Sequence, residues 1–243
     1  MSVSLSLTES QIFTALGNFL TTILPTTVEI DRGQDNRVAA PAGSDYVIMT
    51  PLFQERIETN TSEFIDAVFT GSISGDTLTI TAVITGSLVA GRYIFGVGIA
   101  ANTYIVSQLT GTPGGVGTYS ISPSPQTITS ETISAGASSI LRPTKVTVQV
   151  DVHGPNSADN TQIITSLIRS DYGVTQFATY GFDVTPLHCN EPKQMPFLNG
   201  EQQIEYRWTF EVVMQSNPVL VVSQDAASVV TVTPINVDAA YHP

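Results

Sequence analysis

The sequence is poor in charge, and especially poor in basic residues. Only 12% of its 243 residues are charged, about half of the ~25% that is usual in globular domains. Nine basic residues stand against 21 acidic ones, which gives a formal net charge of −12. Binding to a phosphate backbone requires clustered lysine and arginine, and no basic run is present. This balance argues against a protein that grips nucleic acid, although DNA could lie beside such a surface without being held.

The sequence also contains a single cysteine, and neither a signal-peptide pattern nor a long apolar run is recognisable in it. Cys189 is the only cysteine, so an intrachain disulfide scaffold is excluded. The first ten residues, MSVSLSLTES, contain no positively charged segment of the kind that opens a signal peptide. No apolar run approaches the ~20 residues that a membrane-spanning helix needs. These absences predict a soluble protein that is made in a cytoplasm.

Two segments show helical periodicity. The first is predicted over Thr8 to Leu24, with Thr8 or Ser10 as its N-cap and Pro25 ending it. The second is predicted over about 158–172, with Ser157 or Asp159 as its N-cap and Gly173 as its C-cap. The apolar positions that recur at helical spacing are Ile12, Phe13, Leu16, Phe19, Leu20, Ile23, Ile163, Ile164, Leu167 and Ile168.

Most of the remaining chain has strand-like patterns. Alternation in Val146 to Val152 predicts a half-buried strand, and the apolar run Tyr46 to Leu52 predicts a strand covered on both faces. A proline-containing loop is expected after Gly173. Further strands are predicted at about 28–30, 54–64, 204–215 and 219–222, the last as a core run.

The composition changes between residues 69 and 134. Asp76, Arg92 and Glu131 are the only charged residues there, and short β-prone runs alternate with turn signals. This pattern predicts a small all-β domain inserted into a hairpin, because loop tips tolerate insertions. The whole is then an α+β fold. Residues 1–68 and 135–243 form a discontinuous core, with helices packed on a mixed or antiparallel sheet.

The histidines and the cysteine do not form a recognisable catalytic or metal motif. His188 beside Cys189 invites such a reading, but a second cluster that could complete a zinc site is missing from the sequence. His153 is interpreted as a turn residue, and His242 lies in the tail. We therefore expect no catalytic residue, no metal and no cofactor.

The acidic residues and the glycine-rich segment have ordinary structural explanations. Asp31, Asp35 and Asp45 lack the spacing of a calcium loop. Near strand and helix ends, capping is the expected role of an aspartate; the residues concerned are Asp151, Asp159 and Asp171. The stretch from Gly111 to Gly117 has no lysine and no following helix, so it is predicted to be a turn rather than a phosphate loop.

Aromatic side chains lie on one face of a predicted strand at Tyr206, Trp208 and Phe210. Stacking on nucleic-acid bases needs basic neighbours, and Arg207 points to the other face. We therefore expect these aromatics in the core or in a subunit interface.

Two stretches resemble neck or tail-completion proteins of tailed bacteriophages. One is the helix ending FLTTILP together with Val28 to Leu52; the other is the strand and helix start VTVQVDVHGPNSADN, from Val146 to Asn160. The sequence of the predicted inserted domain resembles small β modules of phage virion proteins. The usual core of the family has no domain inserted in this hairpin, so the chain departs from the family there.

The resemblance implies a structural virion protein rather than an enzyme. Such a protein terminates the tail as a ring, usually of six copies, at the head–tail junction. The implied partners are the tail tube, the tail sheath and the head–tail connector, and DNA passes through the channel without specific binding. Assembly is expected in the host cytoplasm, with no membrane involved.

Two other functions are compatible with the sequence. An adhesion or carbohydrate-binding role would use the inserted domain, with Tyr93, Tyr104 and Tyr119 as exposed aromatics. A hydrolase would have to use His153, His188 and Asp151, which nothing in their spacing favours.

Overall fold

The computed structural model describes residues 3–34, 41, 43–123, 125–198 and 204–224. Within them, strands account for 51% of residues and helices for 17%. The helices are α1 (Glu9–Ile23), α2 (Ser157–Ile168) and α3 (Asp171–Thr179). The strands are β1 (Val3–Leu5), β2 (Glu29–Arg32), β3 (Tyr46–Arg56), β4 (Thr61–Ile65), β5 (Val68–Gly75), β6 (Thr77–Thr85), β7 (Tyr104–Gly111), β8 (Gly117–Ser122), β9 (Gln126–Ser134), β10 (Ala137–Leu141), β11 (Thr144–His153), β12 (Val184–Cys189), β13 (Lys193–Gln194), β14 (Phe197–Leu198), β15 (Ile204–Glu205), β16 (Arg207–Ser216) and β17 (Val219–Ser223).

The chain divides into two compact units. Leu5–Thr61 and Ile140–Leu220 form one, here called the α+β unit. Ser62–Ser139 forms the body of the other, the all-β unit, which also includes segments from both ends of the chain. The bounds of the all-β unit are thus wider than the 69–134 predicted from composition. That these residues are an inserted domain stays a prediction.

A six-stranded mixed sheet organises the α+β unit. Its order is β12, β16, β11, β3 and β2, with β13 also pairing with β16. The pairing of β2 with β3 is parallel, and the other pairings are antiparallel. Because β11 lies in the middle, both of its neighbours cover its edges, and most of its side chains are buried on both faces.

Helices pack on the face of this sheet that carries Val148 and Val150. The apolar stripe of α1, including Leu16 and Phe19, is fully buried in the same core. Phe177 of α3 contacts Phe19 with a ring-centroid distance of 5.3 Å. The predicted first helix is confirmed, and Thr8 is its N-cap through a capping box with Gln11.

The all-β unit has its own hydrophobic core around a five-stranded antiparallel sheet. The strand order is β7, β8, β6, β5 and β9. Its buried side chains include Phe69, Leu78, Ile105 and Tyr119. The smaller sheets of the described chain are β1-β17-β10-β4 and the pair β14-β15.

The second predicted helix is wrong in its extent. α2 ends at Ile168, and α3 follows almost immediately. The N-cap of α2 is Asn156, not Ser157 or Asp159. Gly173 lies inside α3 rather than at a C-cap. A Cβ at Gly173 would lie 2.7 Å from the carbonyl oxygen of Leu167, so glycine is needed there for close approach.

Several strand predictions also need correction. The segment predicted over 54–64 is two strands, since β3 ends at Arg56 and β4 starts at Thr61. The proline-containing loop includes β12. β11 is buried on both faces rather than half-buried, and β17 is only half-buried. In the run Tyr46 to Leu52, predicted to be covered on both faces, Leu52 is exposed while the other residues are buried or half-buried. The α+β class therefore holds for the fold in outline, with β structure predominating.

Candidate functional site

The polar side chains that sequence reasoning singled out on β11 lie on the face of the sheet opposite the helices. Alternation places Val150 and Val152 toward the helices, so Asp151 and His153 point the other way. Each of these two polar residues is only 5% exposed. Buried charges and rings of this kind need partners, because leaving them unpaired would cost several kcal/mol.

Asp151 is held by an arginine and a glutamine. Arg207 donates from Nε and Nη2 to Oδ1 of Asp151, at 2.9 and 2.7 Å. Gln149 donates from Nε2 to the other carboxylate oxygen at 2.7 Å. The capping role expected for Asp151 is therefore wrong: the residue is the centre of a charge-assisted network across β11 and β16.

His153 and Tyr46 both contact Glu205. The Tyr46 hydroxyl donates to Oε1 of Glu205 at 2.5 Å, and Nδ1 of His153 lies 3.0 Å from the same oxygen. The rings of Tyr46 and His153 stack, with centroids 4.4 Å apart and 9° between their planes. His153 is thus not simply a turn residue, because it joins three strands of the α+β unit.

The electrostatics of this trio follow from burial. Burial lowers the pKa of His153 below its ordinary 6.5, although the carboxylates of Glu205 and Asp151 act in the opposite direction. Burial, and then the hydrogen bond to Glu205, raise the pKa of Tyr46. A histidine beside a carboxylate is able to exchange a proton. Here, however, Glu205 is the shared acceptor for both rings, an arrangement that fixes strands to one another.

His188 and Cys189 lie on β12, where the structure does not bring them into one site. The Cys189 side chain is buried, and its Sγ lies 3.8 Å from the carbonyl oxygen of Thr165. Burial raises the pKa of this thiol. His188 faces outward. Among the described residues, no three histidine, cysteine or acidic side chains come together as a metal site.

Asp45 has a structural role. Its two carboxylate oxygens accept from the backbone N–H and the side-chain amide of Asn156, both at 2.9 Å. Asp45 thereby fixes the turn between β11 and α2. Asp31 lies on β2, whereas Asp35 and His242 lie outside the described residues.

The aromatic residues expected on the surface of the inserted domain are mostly not there. Tyr119 is 1% exposed, and its hydroxyl donates to the carbonyl oxygen of Gly115 at 2.6 Å. Tyr93 is half-buried against Tyr104, with ring centroids 6.0 Å apart. Only Tyr104 is exposed. The prediction of three exposed aromatic residues for adhesion is therefore wrong.

The turn predicted from Gly111 to Gly117 does join β7 to β8.

A family comparison identifies the chain. Residues 79–241 match the model of a family described as "Phage neck terminator protein". The chain belongs to the phage neck terminator family. It is thus a structural phage neck protein, located in the virion, and it interacts with other phage tail or head proteins. None of the curated proteins matches the sequence.

The matched residues of this neck terminator include most of the polar cluster. Asp151, His153, Glu205 and Arg207 all lie within 79–241, and Tyr46 lies before it. The match contains Val146 to Asn160, one of the two stretches that carried the sequence resemblance, but it does not reach Val28 to Leu52. It also begins in β6 and so includes most of the five-stranded sheet.

Sequence reasoning missed the partners in this cluster. Arg207 and Glu205 are separated from β11 by more than 50 residues, and only strand pairing brings them together. The alternation of Glu205 and Arg207 with aromatic residues in IEYRW could have indicated that they share a face, since it places both side chains opposite Tyr206 and Trp208.

Of the three aromatic residues predicted to lie in the core or in an interface, Phe210 is in the core, whereas Tyr206 is exposed.

None of the helices in the described part is long and apolar enough to cross a bilayer.

Proposed function

We propose that this neck terminator caps the tail and joins it to the head connector as a ring of six copies around the DNA channel. The observation that carries the proposal is the family match over residues 79–241. Its partners are then the tail tube, the tail sheath and the connector. The chain acts as a structural part and carries out no catalytic step.

The charge balance supports a DNA channel without specific binding. A chain with 21 acidic and nine basic residues repels the phosphate backbone. DNA that passes through the neck would then not be retained by its wall. The low charged fraction also suits a chain with much of its surface covered by neighbours, since interface cores are depleted of charge.

The two hydrophobic cores support an inserted all-β domain in residues 69–134. One core combines residues before that stretch, from Leu7 to Met49, with residues after it, from Val146 to Met214. A second core is built from residues between Ala67 and Ala135. We propose that residues 1–68 and 135–243 are the discontinuous terminator core and that the inserted domain decorates or spaces the neck.

A phage in which the gene for this chain is interrupted tests the proposed function. We expect filled heads and separate tails that do not join, and restoration of intact particles by the wild-type chain supplied in trans. Intact particles that lack only host attachment would contradict the neck role and would favour an adhesion protein.

A further inference from the structure

Arg92 is a cation of the all-β unit without a counterion. The residue is half-buried, and it forms no ion pair with any residue that the structure describes. Burial lowers the pKa of Arg92, and no described carboxylate acts in the opposite direction. The sequence contains 21 acidic residues against nine basic ones. Carboxylates are therefore plentiful, yet none of the described ones is placed at this arginine.

Arg92 lines a small pocket within the same unit. The volume of the pocket is about 170 Å³, and its walls include Val89, Val221 and Ser223. This volume is below the ~300–1,000 Å³ that is usual for small-molecule sites, so it suits a single side chain. The valines provide an apolar surface for the methylene groups of such a side chain, while Arg92 and the serine hydroxyl provide hydrogen-bond donors for its polar end.

The backbone around Arg92 is held in place on both sides. The N–H of Gly91 donates to the carbonyl oxygen of Ile105 at 2.7 Å, and the N–H of Ile105 donates to that of Arg92 at 2.9 Å. The N–H of Tyr93 donates to Oγ of Ser223 at 3.1 Å, which leaves the hydroxyl hydrogen of Ser223 available to a ligand. A site whose backbone is already ordered loses less entropy when it binds.

The chemistry of these groups selects a carboxylate. A guanidinium presents its N–H groups in a planar fork that matches the two oxygens of a carboxylate. A guanidinium that is partly withdrawn from water without a counterion is unfavourable, and a carboxylate that enters the pocket would offset this cost. The phosphate groups of DNA fit less well, because the walls are apolar at Val89 and Val221 and the chain has a net charge of −12.

We propose that the pocket around Arg92 receives an aspartate or glutamate side chain of another head or tail protein in the neck. Arg92 donates to the carboxylate oxygens, and Ser223 adds a hydroxyl donor. The site gives the all-β unit a role in docking. This inference rests on the proposed neck function and names one contact through which the chain joins its partners.

Arg92→Met tests the site, because methionine keeps an unbranched side chain and removes the guanidinium. Arg56→Met is the matched control, since Arg56 is exposed on β3 and also has no ion pair within the described residues. Each variant is supplied in trans to a phage whose own gene for this chain is interrupted. We expect Arg92→Met to lower the yield of joined particles at least tenfold and Arg56→Met to restore the wild-type yield. A wild-type yield with Arg92→Met would overturn the proposal.

Unfolding of the isolated full chain separates docking from a structural role. Arg92 has no described carboxylate partner within its own chain, so the urea midpoint of Arg92→Met is expected to equal or exceed that of the wild type. A midpoint lowered well below that of Arg56→Met would show that Arg92 supports the fold, and would overturn the docking site.

Second-site suppressors identify the group that enters the pocket. Arg92→Glu sets two carboxylates against each other and is expected to prevent joining of heads and tails. Selection for infectious phage should then yield replacement of one acidic residue by a neutral or basic residue in another head or tail protein. Suppressors confined to this chain would overturn the proposed contact.

Failure of the proposed function has a different signature. A wild-type chain that is incorporated at another part of the particle would overturn the neck function, whereas loss of that incorporation in Arg92→Met alone would still support a carboxylate site at Arg92.

Discussion

Arg207 donates twice to a single carboxylate oxygen of Asp151, across the boundary between two antiparallel strands. The Asp151 side chain is 6% exposed and that of Arg207 is 28% exposed. The pair is therefore largely withdrawn from water. Its main consequence is structural: it ties the start of β16 to β11.

Removing the arginine should destabilise the α+β unit. Arg207→Ala leaves Asp151 buried with Gln149 as its remaining partner, and we expect a loss of about 3 kcal/mol, typical of a broken buried pair. Lys145→Ala is the matched control, because Lys145 pairs with Glu55 at an exposed position and should cost less than about 1 kcal/mol. Urea unfolding measures both. Equal losses for the two variants would contradict a special role for the buried pair.

The His153 ring makes stability depend on pH. Its pKa is lowered in the folded state, so on acidification the unfolded chain takes up a proton at this site before the folded chain does. We expect the contribution of His153 to the unfolding free energy to be constant above the ordinary pKa of 6.5 and to fall as pH drops below it, with a slope of at most about 1.4 kcal/mol per pH unit.

The contribution of His153 is isolated by two variants. His153→Gln should lose this part of the pH dependence, whereas His188→Gln, at an exposed position on β12, should keep it. Unfolding in urea at a series of pH values between 5 and 8 is the measurement. A His153→Gln profile that matches the wild-type profile would show that another group carries the effect.

Two glycines of the all-β unit should respond differently to alanine. Gly111 has φ of +96°, and a Cβ there would lie 2.1 Å from the carbonyl oxygen of Val116. Gly75 has φ of +66° but open space around its Cβ position. We expect Gly75→Ala to cost about 1–2 kcal/mol from backbone strain alone, and Gly111→Ala at least about 3 kcal/mol because the clash adds to strain. Thermal unfolding compares them, and a reversed order would contradict the turn geometry.

The inserted-domain proposal predicts that residues 69–134 can be removed. Val68 pairs directly with Ser134, and the N–H of Ala135 donates to the carbonyl oxygen of Ala67 at 2.7 Å. The two cut ends are therefore adjacent, and an Asn-Gly turn could join them. We expect the shortened chain to fold cooperatively, as monitored by circular dichroism and urea unfolding. A shortened chain without a cooperative transition would show that the remaining stretches do not form a core by themselves.

Much of the fold could be predicted from local patterns. The apolar stripe and the capping residue Thr8 gave α1, and alternation gave β11 and β16. α3 was missed because Gly173 looked like a helix end, whereas packing against α2 requires it inside a helix. The burial of both faces of β11 was also missed, since Asp151 and His153 look solvent-facing until their partners are known.

The polar cluster could be predicted only in part. The pattern showed which side chains share a face of one strand, but the pairing of β11 with β3 and β16 depends on contacts far apart in sequence. Tyr46 and Glu205 therefore could not be assigned to His153. Similarly, Tyr119 resembles an exposed aromatic in a polar run, yet it fills the core of the five-stranded sheet.

Electron cryomicroscopy of virions with a gold label on this chain tests the central claim most directly. The account predicts label at the head–tail junction, on a ring that surrounds the channel. Label along the tail, at its distal end or on the head surface, with none at the junction, would contradict it.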